Sequence, residues 1–205
     1  MAATTRAELA GLTIADPPQR WRDLGFAVAE GGVLDVGGVL ITLGVEGSGI
    51  TSWSLRNVPA TESIDGLSTV EPSPIEPPPP ATHPNGATGL DHLVVLSNEF
   101  GRTSLLLEQL GMPIKYTREM SNGSMGFVRI GPAVLELVHV RQLASPVAVF
   151  WGLVIVVEDL DALAQRLGSR LGTVKTAVQP GRRIATVAES AGLSTAVAFM
   201  TPEPI

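Results

Sequence analysis

Cysteine is absent from the 205 residues, which removes disulfides, thiolate catalysis and cysteine-based zinc sites from consideration. Aromatic residues make up only 4% of the chain, so a core must rest on Val, Leu, Ile and Ala, a palette that favours strands over long amphipathic helices. Lysine is nearly missing: of 14 basic residues, only Lys115 and Lys175 are lysines. No basic cluster exists beyond Arg182-Arg183, and the formal net charge is −6. That argues against a nucleic-acid partner, because a phosphate binder needs a basic face. No stretch approaches the ~18 apolar residues of a membrane helix. The longest apolar run, Val147 to Val157, contains Trp151-Gly152 and reads as a buried strand with its lead-in. The first residues lack the basic region and long apolar run of a secretory signal. A cytoplasmic protein without a membrane partner is the expectation.

What the chain has in abundance is proline and glycine, 16 and 22 residues. They punctuate it. Residues 71–86, including Pro77 to Pro80, read as an extended linker, since consecutive prolines fix φ and remove backbone donors. This divides the chain into residues 1–70 and 87–205. The second part repeats itself. Its first copy has a strand at Leu90–Leu96 and a helix from Ser97 or Asn98 to Leu110, with Leu105, Leu106 and Leu110 as its apolar side. Strands follow at Ile114–Arg118, Gly126–Ile130 and Ala133–Val140, separated by turns at Asn122-Gly123 and Gly131-Pro132. The second copy has a strand at Gly152–Val157, then a helix capped by Asp159 and carrying Leu160, Leu163 and Leu167. Strands follow at Thr173–Val178, Arg183–Ala188 and Thr195–Met200. A fainter third copy precedes the linker: a strand at Leu12–Asp16, a helix at Gln19–Leu24, and strands at Phe26–Ala29, Val33–Val36 and Val39–Leu43. Ile50–Val58 opens a fourth copy that the remaining residues are too few to complete.

This repeat, with the phrases Leu90-Asp91-His92-Leu93-Val94-Val95, Val134-Leu135-Glu136-Leu137 and Val156-Val157-Glu158-Asp159-Leu160-Asp161-Ala162, resembles the vicinal oxygen chelate superfamily, which includes glyoxalase I, bleomycin-resistance proteins and extradiol dioxygenases. The resemblance implies an α+β fold of tandem βαβββ modules, forming a curved mixed-sheet cup with helices on the convex face. Residues 1–70 would hold degenerate modules and 87–205 a full pair. It also implies ligand positions on the first and last strand of each module. In the first copy these fall on His92 and Glu136, in the second on Gly152 and Ala198, and before the linker on Gly11 and Thr42. Half of the usual four-ligand set is therefore lacking. No cofactor is expected, with a divalent metal on His92 and Glu136 as the lesser alternative.

Strand parity selects the cup-facing residues, since residues two apart share a face. Val94 and Leu96 follow His92, while Val134 and Val138 flank Glu136. In the second copy Val154, Val156, Ala198 and Met200 line an apolar wall. Arg129 and Arg183 are expected on neighbouring strands, where they would neutralise Glu136 or contact a ligand, and the pair Arg182-Arg183 either clamps a carboxylate or phosphate at the pocket mouth or stands solvated at a strand start. Trp151 and Phe150 either stack on a ligand or fasten the crossover into the core. These residues describe a glyoxalase-like protein that binds a small organic molecule. One reading is a cofactor-independent isomerase or lyase in which His92 transfers a proton and Glu136 orients it. The alternative is a non-catalytic drug- or metabolite-sequestering protein. A third is a partner-binding protein whose cup is filled by its own Met200 and Phe127. Unpaired sheet edges would either be covered by the N-terminal copy or pair between chains in a homodimer.

Overall fold

The computed structural model describes residues 6–72, 82–120 and 123–204. The run Pro77–Pro80 and Asn122 of the expected turn lie outside the described residues. The described residues build two mixed sheets. The first contains β1 (Glu8–Ile14), β2 (Val33–Val36), β3 (Val39–Leu43), β4 (Ile50–Arg56), β5 (Ser63–Ile64) and β6 (Leu67–Val70), with α1 (Pro18–Asp23) after β1. The second contains β7 (Ala87–Ser97), β8 (Tyr116–Met120), β9 (Gly123–Ile130), β10 (Ala133–His139), β11 (Val149–Val157), β12 (Lys175–Thr176), β13 (Arg183–Thr186) and β14 (Ala196–Met200). Helix α2 (Phe100–Gln109) follows β7, and α3 (Leu160–Leu167) follows β11.

The second sheet runs β12-β13-β14-β11-β7-β10-β9-β8. In each half the last strand lies parallel to the first, β10 against β7 and β14 against β11, and the two first strands meet antiparallel at the centre. These are two βαβββ modules side by side. The first sheet repeats the scheme in reduced form, as β2-β3-β1-β4-β6-β5, with β3 parallel to β1, β6 parallel to β4 and β1 antiparallel to β4. The incomplete fourth copy thus lacks a helix but keeps two later strands, β5 and β6. The third copy has no strand at Phe26–Ala29. There the Arg22 guanidinium binds the Val28 and Ala29 carbonyls, and Phe26 turns inward onto Trp21, His83 and Phe199.

Every opening strand carries an extra residue opposite its antiparallel partner: Ala10 in β1, Thr51 in β4, Thr88 and Asp91 in β7, and Trp151 in β11. Such a bulge breaks the alternation of faces and re-aims a side chain. The residues after Ala10, Asp91 and Trp151 are Gly11, His92 and Gly152, the positions expected for each module's first ligand.

The sheets sit back to back. Leu12, Ile41 and Trp53 of the first, and Leu93, Leu135, Leu153 and Phe199 of the second, belong to one continuous core together with the buried faces of the helices. Burying each such aliphatic side chain contributes about 1.5–3 kcal/mol. Phe150 fastens the crossover as expected, meeting Trp53 edge to face at 5.5 Å. Trp151 does not. The bulge turns it out of the core, leaving it half exposed. On α2 the buried stripe is Thr103 and Leu107, whereas Leu105 faces solvent. Asp159 caps α3, accepting from the Ala162 N–H at 2.9 Å. The N-terminal sheet covers the convex face of the second sheet, not one of its edges, so β8 and β12 remain edge strands. None of the described helices is long and apolar enough to cross a membrane.

Candidate active site

The concave face of the second sheet is open. At its centre His92 on β7 and Glu136 on β10 both point into the cup, with His92 Nε2 3.5 Å from Glu136 Oε2. Both line the boundary between two spaces. Beyond them lies an inner chamber of about 350 Å³, walled by Val94, Leu96, Val138, Val154 and Ala198 with Trp151 at its side. On the other side lies a wider mouth of about 800 Å³, reached by Tyr116, Arg118, Phe127, Arg129 and Arg182. The cup is not filled by its own side chains. Phe127 lies on its wall stacked on Tyr116, and Met200 packs beneath Val154 and Ala198.

Asp91 is the bulged residue of β7, so its carboxylate lies on the side of His92 despite being its sequence neighbour. Its Oδ2 stands 2.7 Å from His92 Nδ1. A carboxylate only accepts, so this contact places the ring hydrogen on Nδ1 and leaves Nε2 facing Glu136. Arg182, between β12 and β13, reaches across from the second module. Its Nη1 lies 2.6 Å from Asp91 Oδ1, its Nε donates to the Thr201 carbonyl at 2.8 Å, and it is buried. The four side chains form one line: Arg182, Asp91, His92, Glu136.

The line holds its acids in opposite states of readiness. Burial pushes Asp91 up, but hydrogen bonds and charge from His92 and Arg182 outweigh it and hold the carboxyl below its ordinary value. Among the described residues Glu136 has no arginine partner. Burial raises it above the usual carboxylate range, the charge of His92 opposes this, and the nearby Asp91 adds to it. Environments that push two neighbouring acids apart are what acid–base chemistry requires.

Among the expected ligand-binding residues, Arg129, Val134 and Val156 line the mouth, and Val154 and Ala198 the inner chamber. Arg183 does not belong to the cup. Its guanidinium makes a two-pronged pair with Asp161 on α3, at 2.9 and 2.8 Å, on the opposite face. Parity explains this: Ile184 pairs with Met200 and Thr186 with Ala198 on the concave side, which puts Arg183 on the convex side and Arg182 on the concave one. Nor does Arg129 neutralise Glu136; it donates to the Pro132 carbonyl at 3.3 Å. Parity from Ile184 would have chosen Arg182. Nothing in the sequence signals the bulges that bring in Asp91 and Trp151.

The four-ligand metal set implied by the superfamily does not fit. The second module offers Gly152 and Ala198 at its ligand positions. At Gly152 a Cβ would stand 2.4 Å from the Ala196 backbone oxygen, so no side chain can enter there. No group of three His, Cys, Asp or Glu suited to a metal occurs among the described residues.

The architecture is the vicinal oxygen chelate fold, in paired-module form over the second sheet and reduced form over the first. No protein-family model and no curated protein matches the chain. Among solved structures, a substituted 4-hydroxymandelate synthase from Streptomyces coelicolor aligns over 98% of this chain and 94% of its own, at 14% identity and a TM-score of 0.63. A xylose isomerase-like TIM barrel/4-hydroxyphenylpyruvate dioxygenase fusion protein aligns over 99% of this chain and 50% of its own, at 14% identity and a TM-score of 0.66. Methylmalonyl-CoA epimerase from Mycobacterium tuberculosis aligns over 58% of this chain and 91% of its own, at 20% identity and a TM-score of 0.49.

Proposed function

We propose that the protein is an enzyme that moves a proton on a small organic substrate, an isomerase or lyase working without a resident metal centre. One observation carries this: the unbroken line from Arg182 through Asp91 and His92 to Glu136, ending in an open cup. Asp91 orients the imidazole, a role first expected of Glu136. Glu136 is thereby free to act as the second proton-transfer group, with a raised carboxyl facing His92 Nε2. A substrate carbon seated at this waist would meet a base and an acid at once, the arrangement general acid–base catalysis uses. The fold supports a small-molecule site without specifying the reaction.

The test is deuterium exchange into carbon acids next to a carbonyl, followed by proton NMR in heavy water over a panel of keto acids and thioesters. Wild type should exchange at least one of them. His92→Ala and Glu136→Gln should each slow that exchange about 10²–10⁴-fold. Exchange that survives both substitutions would sink the proposal. The apolar inner chamber supports a second reading, a sequestering protein; binding of a panel member with no exchange would favour it.

A further inference from the structure

We infer that the cup takes an elongated organic anion, with its apolar end in the inner chamber and its carboxylate or phosphate head at the mouth between Arg118 and Arg129. The inference deepens the reading of this cup as a small-molecule site. The inner chamber carries no charge beyond the His92–Glu136 waist, and at about 350 Å³ it exceeds twice the ~150 Å³ of an apolar cavity that holds benzene. An alkyl chain or ring system fits against its apolar walls, which offer few polar partners to the water it would displace.

The mouth differs in kind. Arg118 on β8 and Arg129 on β9 both line it. The register places Arg118 opposite Met125, and Met125 opposite Val138; it places Arg129 opposite Val134. Both arginines therefore share the concave face. Arg118 makes no ion pair or side-chain hydrogen bond among the described residues, and Arg129 has only the Pro132 carbonyl. The acids nearby do not compensate them. Asp91 is held by Arg182, Glu136 sits at the waist, and Glu203, which also lines the mouth, is exposed and makes no ion pair with either arginine among the described residues. Two guanidinium groups on one wall, neither of them in an ion pair among the described residues, suit a carboxylate or phosphate, which guanidinium groups bind through paired hydrogen bonds. In the register the stacked Tyr116 and Phe127 rings, 5.9 Å apart, lie between the two arginine positions and form the floor over which the head would sit, with the stem leading from there toward the waist.

Trp151 supplies the readout. It is 52% exposed beside the inner chamber, whereas Trp21 and Trp53 are fully buried in the core, so ligand-dependent fluorescence reports on Trp151. The full-length protein is titrated with octanoate, octyl phosphate, 1-octanol and butyrate. The expected result is that one of the two long-chain anions binds at least tenfold tighter than 1-octanol, and at least tenfold tighter than butyrate. Whichever anion is tighter names the head group. In the Arg118→Gln/Arg129→Gln double variant, both of whose sites are exposed, the advantage over 1-octanol should fall to within threefold. Ala198→Phe, which fills the chamber, should weaken every long-chain probe at least tenfold; Ala196→Phe serves if the first variant fails to fold. Equal binding of 1-octanol and the anions, or an unchanged double variant, overturns the anionic head. Equal binding of butyrate and octanoate, or indifference to chamber filling, overturns the apolar end. Exchange and binding are read separately on the wild-type protein: the expected probe preferences without exchange overturn the proton-transfer proposal alone, and exchange without those preferences overturns this one alone.

Discussion

Glu136 sits where its ionised form is disfavoured, and that leaves a signature in stability. Its folded pKa lies above the unfolded value of about 4.3. The contribution of the protonated acid is therefore fully present below that value and is lost as pH rises through the folded pKa. Glu136→Gln removes the loss. Compared with wild type, the variant should gain more stability at pH 7 than at pH 4, read as the difference in urea midpoints at the two pH values. Asp91 has the opposite sign: its stability is present above about 3.9 and disappears only as pH falls through its lowered folded value. Since it is common to both proteins, it cancels from the comparison. An equal difference at both pH values would show that Glu136 is solvated like a surface acid.

The opening strands show where reading the sequence succeeds and where it stops. Alternation alone selects Val94, Leu96, Val134, Val138, Val154 and Ala198 for the concave face, because a period of two is fixed by the pleat. The same rule assigns Asp91 to the wrong face and leaves Trp151 in the core. A bulge changes parity by one residue, and it arises from pairing with a strand some 60 residues away, which no local pattern encodes. Arg183 was misplaced for a lesser reason, a choice between adjacent residues that the register with Met200 decides. Strands β5 and β6 are short, at 2 and 4 residues, and hold their place through the sheet and not through propensity. Gly152 extends the same lesson from reading to energetics. With the Ala196 carbonyl 2.4 Å from a Cβ built there, Gly152→Ala must push β11 and β14 apart, and should cost about 1–3 kcal/mol, measured by chemical denaturation. A neutral result would mean that the parallel pair has slack, and that a ligand side chain could be accommodated after all.

At the scale of the molecule, the two sheets share one core and several polar clasps. Asp65, in the turn between β5 and β6, is the most connected. Its carboxylate is buried, binds Arg102 Nε at 2.8 Å and accepts from the Thr103 hydroxyl, while its carbonyl accepts from the Ala148 N–H at 2.9 Å. Asp16 plays a similar part, taking the Trp21 indole N–H at 3.1 Å and the Ser194 N–H. Asp65→Ala removes charge-assisted bonds and places an alanine at φ +49°. It should cost about 2–4 kcal/mol. Unfolding should remain a single transition, with far-UV circular dichroism and tryptophan fluorescence coincident, because the continuous core ties both sheets together. Two separated transitions would show that the sheets are independent units joined at a weak seam.

The unequal modules of the second sheet have a stereochemical consequence. The two halves are related by an approximate twofold arrangement of strands, yet His92 and Glu136 stand on one side while Val154 and Ala198 stand on the other. A molecule lying in the cup therefore meets proton donors and acceptors on one of its faces and hydrocarbon on the other. Under the proposed proton transfer, a prochiral carbon held at the waist would exchange its proton on a single face, so the product of such a reaction would emerge as one enantiomer and not as a racemate.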